Sequence, residues 1–113
     1  MAREVIKILG QVKPGMATET DLYQVPSGRR AVISKIHAFN AASGAAIIKI
    51  AITPDNSATS AENYLIDSLG LAGRAGAEWD KITMQEFNEI RVESDTGNVI
   101  FHAYGVEVLP EKS

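Results

Sequence analysis

Turn-forming residues recur along this chain at spacings that leave little room for helices. Clusters of Gly, Pro, Asn, Asp and Ser lie at 13–15, 26–28, 43–44, 54–57, 70–76 and 95–98, with a closing Pro110. These residue types preset the backbone angles of turns, so the stretches between them are limited to short elements. The spacing therefore predicts a chain of strands.

Eight segments rich in β-branched residues lie between these turns. They are 4–9, 20–25, 30–39, 45–53, 63–69, 81–84, 89–94 and 98–109. Eight short strands favour an all-β fold, an antiparallel β-sandwich of jelly-roll type. We expect one domain over 1–113, because a domain of this length buries roughly two-thirds of the surface that its unfolded chain exposes.

Alternation with period two indicates which strand faces are buried. In EIRVES (89–94), Ile and Val alternate with charged residues, which predicts one wet face. In AAIIKIAIT (45–53), alternate residues from Ala46 to Ile52 face one way and Lys49 faces the other.

Two segments carry a mixed signal. In RAVISKIHAF (30–39), apolar residues occupy both odd and even positions and therefore both faces of the strand. This pattern suggests that the second sheet covers one face and a neighbouring subunit covers the other. In DKITMQEFNEIR (80–91), the apolar residues approach helical spacing. The alternative architecture is therefore a sandwich with a short helix at one edge.

Charge and composition exclude several functional classes. The chain has 14 acidic and 11 basic residues, for a net charge of −3, and its longest basic run is Arg29-Arg30. We therefore predict no nucleic-acid partner, because phosphate binding requires a basic patch. No cysteine is available for disulfides or thiolate chemistry. No apolar run reaches the length of a signal-peptide core or membrane span, so we predict no membrane partner.

The sequence offers no persuasive catalytic or metal-binding motif. His37 and His102 both lie in predicted strands, but no further ligands cluster at zinc-site spacing. The chain lacks a Gly-x-Ser-x-Gly motif, and its carboxylates are scattered. We predict no metal, no cofactor and no enzymatic activity.

Three further segments are candidates for contact with a partner. GLAGRAG (70–76) lacks the Gly-Lys-Ser/Thr ending of a P-loop and is interpreted as a flexible connection. Trp79 after it either anchors a partner or plugs the end of the sandwich. The polar loop 53–63 is a binding loop or a surface excursion. The apolar stretch 5–9 adds an edge strand to its own sheet or to a neighbour's.

The stretch DLYQVPSGRR (21–30) is interpreted as a turn. With Val25 at the first position, Pro26 takes the second and Gly28 the fourth position of a type I turn. Arg29 and Arg30 then face opposite sides of a strand end, with their charges in water.

This turn also carries a family signature. The pattern Leu-Tyr-x-Val-Pro-x-Gly leads into a basic residue, an apolar strand and an Asn, and then into a Gly/Ala-rich hairpin. The matching positions are Leu22, Tyr23, Val25, Pro26, Gly28, Arg30, Ala31, Val32, Ile33 and Asn40. With the ending NVIFHAYGVEV (98–108), these residues resemble small virion proteins of tailed bacteriophages. The segments 53–63 and 70–88 do not match that group.

The resemblance implies a β-sandwich and a role in the virion. Members include cement or decoration proteins on the capsid surface, often trimers, and proteins associated with tails. We therefore expect a homotrimeric cement protein that binds the major capsid protein lattice and stabilises the head. It would be assembled in the host cytoplasm and located on the capsid surface.

Candidate contact residues follow from expected exposure and side-chain type. They are Val5, Ile6, Ile8, Asp55, Asn56, Arg74 and Trp79. The alternative function is a tail-associated or host-glycan-binding recognition module, with Tyr64, Trp79 or Tyr104 as a platform on which a sugar ring stacks.

Overall fold

The computed structural model describes residues 3–54, 59–60 and 63–109, with the backbone alone at 3–7, 80, 81 and 109. Its strands are β1 (Arg3–Val12), β2 (Thr20–Gln24), β3 (Arg30–Asn40), β4 (Ala46–Thr53), β5 (Tyr64–Leu71), β6 (Gly76–Met84), β7 (Glu89–Ser94) and β8 (Val99–Leu109). Within these ranges, no helix has the length and apolar character needed to cross a membrane.

The strands form two four-stranded antiparallel sheets. Sheet A has the order β1-β8-β3-β6, and sheet B has the order β2-β7-β4-β5. Most consecutive strands lie in opposite sheets, which is the winding of the eight-stranded jelly roll. The predicted fold class, an antiparallel β-sandwich of about eight strands, is confirmed.

The hydrophobic core lies between the two sheets. Its largest fully buried apolar side chains are Phe101, Ile33, Ile36, Ile48, Ile50, Met84, Ile90, Val25, Val92 and Val99. Full burial of each large aliphatic side chain contributes about 1.5–3 kcal/mol. Because both sheets supply these residues, burial holds the sheets face to face.

A β-bulge explains the mixed pattern of β3. Ile33 pairs with Gly105 and Lys35 pairs with Tyr104, so Ser34 is an extra residue relative to β8. After the bulge, the inward-facing residues of β3 switch from odd to even positions. Ile33 and Ile36 are therefore both buried. The burial of both Ile33 and Ile36 thus follows from the bulge, whereas Val32 and Phe39 lie on the outer face of the sheet.

The pairing of β8 is irregular on both sides at the same level. In β1 the register shifts between Ile8 and Gly10, beside Tyr104 and Ala103. On the other side, a Cβ atom at Gly105 would overlap the carbonyl oxygen of Val32. A glycine is required there because the bulged β3 backbone passes directly over the position.

The segment 80–91 contains a turn instead of the alternative helix. Phe87 has a φ of 66°, outside the helical region, between strands β6 and β7. Its N–H donates to the carbonyl of Val25 at 2.9 Å, and the N–H of Val25 donates to Asn88 O at 3.0 Å. These bonds attach the turn to the end of β2, so tertiary pairing overrides the helical spacing of the side chains.

The predicted alternation holds in sheet B for the inward residues, but the outer face is also buried in places, since Ala51 and Thr53 are 1% and 0% exposed. Ala46, Ile48 and Ile50 are buried, and Ile52 packs against the core. Ile90 and Val92 of β7 are buried as expected. The other face of β7 is not fully wet, however, because Glu89 is only 2% exposed.

The Gly-rich segment 70–76, interpreted from the sequence as a flexible connection, is a short turn between two strands. Its ends belong to β5 and β6, and the Arg74 N–H donates to Ala42 O at 2.9 Å. The Asn40 amide nitrogen donates to Leu71 O at 3.1 Å and to Gly44 O at 2.8 Å. Buried Asn40 therefore fastens the β5–β6 turn to the β3–β4 loop.

Candidate functional site

The outward side of β8 carries no charged residue. Burial alternates along the strand from Val99 to Glu107, and the residues between these inward positions are Ile100, His102, Tyr104, Val106 and Val108. An outer sheet face normally alternates polar residues with the buried set. An uncharged outer row on a central strand is therefore the feature of this surface that most indicates contact with a partner.

Apolar residues of the flanking strands extend this row. Ile8 is paired with Tyr104 and Val32 with Val106, and all four side chains lie on the outside of sheet A. Ile8 is 55% exposed, Val32 39% and Tyr104 36%. We call this patch, made of Ile8, Val32, Tyr104 and Val106, the β8 face.

The charged residue of β8 points into the sandwich. Glu107 is 1% exposed, and its Oε1 lies 2.6 Å from Nη1 of Arg29. Its Oε2 accepts a hydrogen bond from the Tyr23 hydroxyl at 2.5 Å. Tyr23 belongs to sheet B and Glu107 to sheet A, so this polar cluster joins the two sheets across the core.

The buried cluster changes the proton affinity of its tyrosine. Burial, followed by the hydrogen bond to Glu107 and the charge of that carboxylate, raises the pKa of the Tyr23 hydroxyl well above its ordinary value. The Arg29 guanidinium opposes this effect in part. The hydroxyl thus stays protonated as a donor, which gives the cluster a structural role.

The turn before β3 differs from its predicted form by one residue. The closing bond runs from the Arg29 N–H to Pro26 O at 3.2 Å, and Gly28 has a φ of 75°. Gly28 therefore occupies the third position, where a type II turn requires positive φ. The prediction that Arg29 holds its charge in water is wrong, because Arg29 pairs with Glu107.

A shallow cleft of about 330 Å³ lies beside this turn. It is lined by Gly28, Arg29, Arg30, Gln85, Glu86 and Val108. The Glu86 carboxylate accepts the Gly28 N–H at 2.5 Å, and Arg29 is engaged with Glu107. Glu86 and Arg29 thus form contacts that stabilise the turn and the end of β8. We therefore interpret the cleft as a consequence of the turn.

The outside of sheet B carries an ion network centred on Arg91. Its guanidinium lies 3.3 Å from Asp21, 3.3 Å from Glu89 and 3.9 Å from Glu19. It also donates to the Thr59 hydroxyl at 2.9 Å. Arg91 is 13% exposed, so the network ties part of the β4–β5 loop to β7 and β2.

The predicted contact residues occupy different parts of the molecule. Ile8 lies on the β8 face. Val5 and Ile6 lie in β1, where the backbone alone is described, and Asp55 and Asn56 lie outside the described residues. Arg74 is exposed at the β5–β6 turn, with a φ of 60°. Trp79 of β6 is partly buried and packs against the core, at a distance from the loop tips.

The aromatic residues of the alternative function do not form one platform. Tyr64 lies on β5 of sheet B, with the Lys49 ammonium 5.9 Å from its ring centroid. Tyr104 lies on sheet A and stacks on His102 at 6.0 Å. With Trp79 turned toward the core, each of the three rings serves a different surface.

The uncharged outer row of β8 could have been found in the sequence by comparing alternate residues of the strand. Glu107 shares its parity with Val99, Phe101 and Ala103, while the opposite parity carries no charge. The partners of Glu107 give no such signal, because Tyr23 and Arg29 are 84 and 78 residues away in sequence.

Comparison with known proteins adds evidence about the fold. No protein-family model and no curated protein matches the chain. Among solved structures, it is similar to a chain from the structure of infectious bursal disease virus, Gx strain, with a TM-score of 0.51 and 9% sequence identity. The match covers 96% of this chain and 32% of the viral chain, about a third of its length. At this identity the likeness shows a shared fold alone.

Proposed function

We propose that the protein is a virion structural subunit, a cement or decoration protein of a tailed bacteriophage that binds the major capsid protein lattice. The jelly-roll strand order supports this proposal, since that architecture recurs in viral capsid domains. The virion-protein resemblance of the segment through Asn40 and the fold likeness to a virus chain support it further.

The observation that carries the proposal is the β8 face. The central strand β8 has an uncharged outer row that is flanked by exposed Ile8 and Val32. When a partner removes this surface from water, the free energy of the system falls. Stable protein interfaces have an apolar centre and a polar rim. Lys35 and Glu78, both about half exposed and 3.4 Å apart, provide such a rim beside Tyr104.

The mechanism is association without chemistry. Each copy that bridges adjacent capsid subunits stabilises the assembled lattice, because it binds the assembled state and not the dissociated subunits. We further propose that the protein acts as a homotrimer on the outside of the head. No enzymatic step or cofactor is part of this function.

Cryo-electron microscopy of intact particles tests the proposal. We expect density for this fold repeated over the capsid lattice, with the β8 face against the major capsid protein. Density confined to the tail would replace the head role with a tail role. Absence of the chain from particles would overturn both. Light scattering of the purified protein tests the trimer separately, and a monomer would contradict it.

A host-glycan-binding module is the second candidate function. Jelly rolls also occur in lectins, and the exposed Tyr104 ring stacked on His102 offers one sugar-sized aromatic surface. A glycan array distinguishes the two functions. Specific binding that is lost in Tyr104→Ala would favour recognition, and an array without signal would favour the cement role.

A further inference from the structure

Four side-chain positions form a straight row across sheet A. Gln11 of β1 is paired with His102 of β8, His102 with His37 of β3, and His37 with Glu78 of β6. In-register neighbours on adjacent strands share a face, with Cβ atoms about 4.5–5.5 Å apart. Two imidazoles and a carboxylate are thus neighbours on the outside of the sheet. We call His102, His37 and Glu78 the histidine row.

We propose that the histidine row binds a divalent transition-metal ion, with Zn²⁺ as the chemical class. Imidazole nitrogens with one carboxylate oxygen are ligands that zinc uses in sites with an open fourth position. The same donors accept Ni²⁺ and Cu²⁺. Such an ion would link three adjacent strands of sheet A from the outside.

The separation of the two rings is close to that of a chelating pair. The centroids of His37 and His102 are 5.9 Å apart, with an angle of 20° between the ring planes. Zinc–nitrogen bonds of about 2.0–2.1 Å in tetrahedral geometry place two imidazole centroids roughly 5 Å apart. Side-chain rotation therefore brings the two nitrogens to one ion without a change in the strand pairing.

The third ligand, Glu78, can leave its present partner at a small cost in free energy. Glu78 is half exposed, and its ion pair with Lys35, at 3.4 Å, lies on the surface. Surface pairs of this kind contribute about 0–1 kcal/mol, so the carboxylate can exchange Lys35 for a metal ion. Within the described ranges, no three potential ligands converge on one point, so metal binding requires rotation of these side chains.

His102 provides an independent sign of a missing partner. Its Nδ1 atom is buried and has no hydrogen-bond partner among the described residues. Buried polar atoms are nearly always satisfied, and exceptions indicate an ion, a water or a functional role. In the tautomer protonated at Nε2, this Nδ1 presents a free electron pair, the form in which imidazole ligates a metal.

Calorimetric titration of tag-free protein with ZnCl₂ at about pH 7.5 tests the proposal, since imidazole ligands must be neutral to bind. We expect saturable binding with one ion per chain. His37→Gln and His102→Gln should each weaken it by more than about tenfold, because each removes one ligand. Glu78→Gln should weaken it less. Glu93→Gln, which removes an outward carboxylate from β7 of sheet B, is the matched control and should leave the affinity unchanged.

Ring-proton chemical shifts give a second readout. In NMR spectra, ring protons of both histidines should shift together on titration. No saturable binding, or equal affinity in His37→Gln, His102→Gln and the native chain, would overturn the proposal.

Discussion

The central strands of the two sheets place their charged residues on opposite faces. On sheet A, the central strand β8 turns Glu107 into the interior and leaves its outer row uncharged. On sheet B, the central strand β7 buries Ile90 and Val92 and surrounds Arg91 with carboxylates on the outside. A solvated sheet is expected to look like sheet B. The uncharged outer row of β8 is the basis of our proposal that a partner covers this surface.

The largest effect is expected from removing the charged side chain that β8 directs into the core. Glu107→Ala leaves Arg29 without its 2.6 Å carboxylate and Tyr23 without its acceptor. Loss of one partner from a buried pair costs about 3–5 kcal/mol. Urea unfolding should show this decrease. A loss below about 1 kcal/mol, within the range of exposed pairs, would show that water replaces the carboxylate.

The second prediction places a charge on each outer face. Tyr104→Asp on the β8 face should weaken binding to capsid shells by about a hundredfold, or about 2.7 kcal/mol, because a buried unpaired carboxylate is strongly unfavourable. Leu65→Asp on sheet B is the matched control, since Leu65 is 42% exposed against 36% for Tyr104. Co-sedimentation with shells measures both. Loss of binding in Leu65→Asp alone would assign the contact to sheet B.

The third prediction concerns the link between the sheets. Tyr23→Phe removes a hydrogen bond to a charged group and should cost about 1.5–3 kcal/mol at neutral pH. The pKa of Tyr23 is raised on folding, so its contribution is complete below the ordinary tyrosine pKa and is lost as pH rises above it. The stability difference between Tyr23→Phe and the native chain should therefore shrink in alkaline urea titrations. A constant difference would contradict the raised pKa.

The smallest effect is expected on sheet B. Asp21→Asn removes the carboxylate that lies 3.3 Å from the Arg91 guanidinium, and should cost less than about 1 kcal/mol, because Asp21 is 60% exposed. High salt should reduce the difference, since screening weakens the exposed pairs. Arg30→Ala, at an exposed strand end, is the control and should change stability by less than about 0.5 kcal/mol in thermal unfolding.

Turn chemistry and alternation were sufficient to predict the sandwich, because each strand is bounded by residues that set turn angles locally. The pattern of 45–53 likewise predicted the inward face of β4. The bulge at Ser34 was not predictable, since it depends on the close approach permitted by Gly105, 71 positions away. The helix-like spacing of apolar residues in 80–91 suggested a helix wrongly for a similar reason. The backbone hydrogen bond from Phe87 to Val25, distant in sequence, determines the turn.

The candidate surface was predicted only in part. Ile8 was selected as a contact residue from its place in an apolar terminal strand, and it lies on the β8 face. Tyr104 was considered only as a sugar platform, although the uncharged parity of β8 was readable from the sequence. The histidine row required the register of four strands, which no local pattern contains.

The glycine at position 105 has a consequence for mechanical strength. With the β3 backbone directly over it, a slide of β8 by one or two residues would bring a side chain against the carbonyl of Val32. The register also shifts on both sides of β8 at this level. We therefore expect sliding of β8 between its neighbours to be unfavourable, so that sheet A resists shear along its strands.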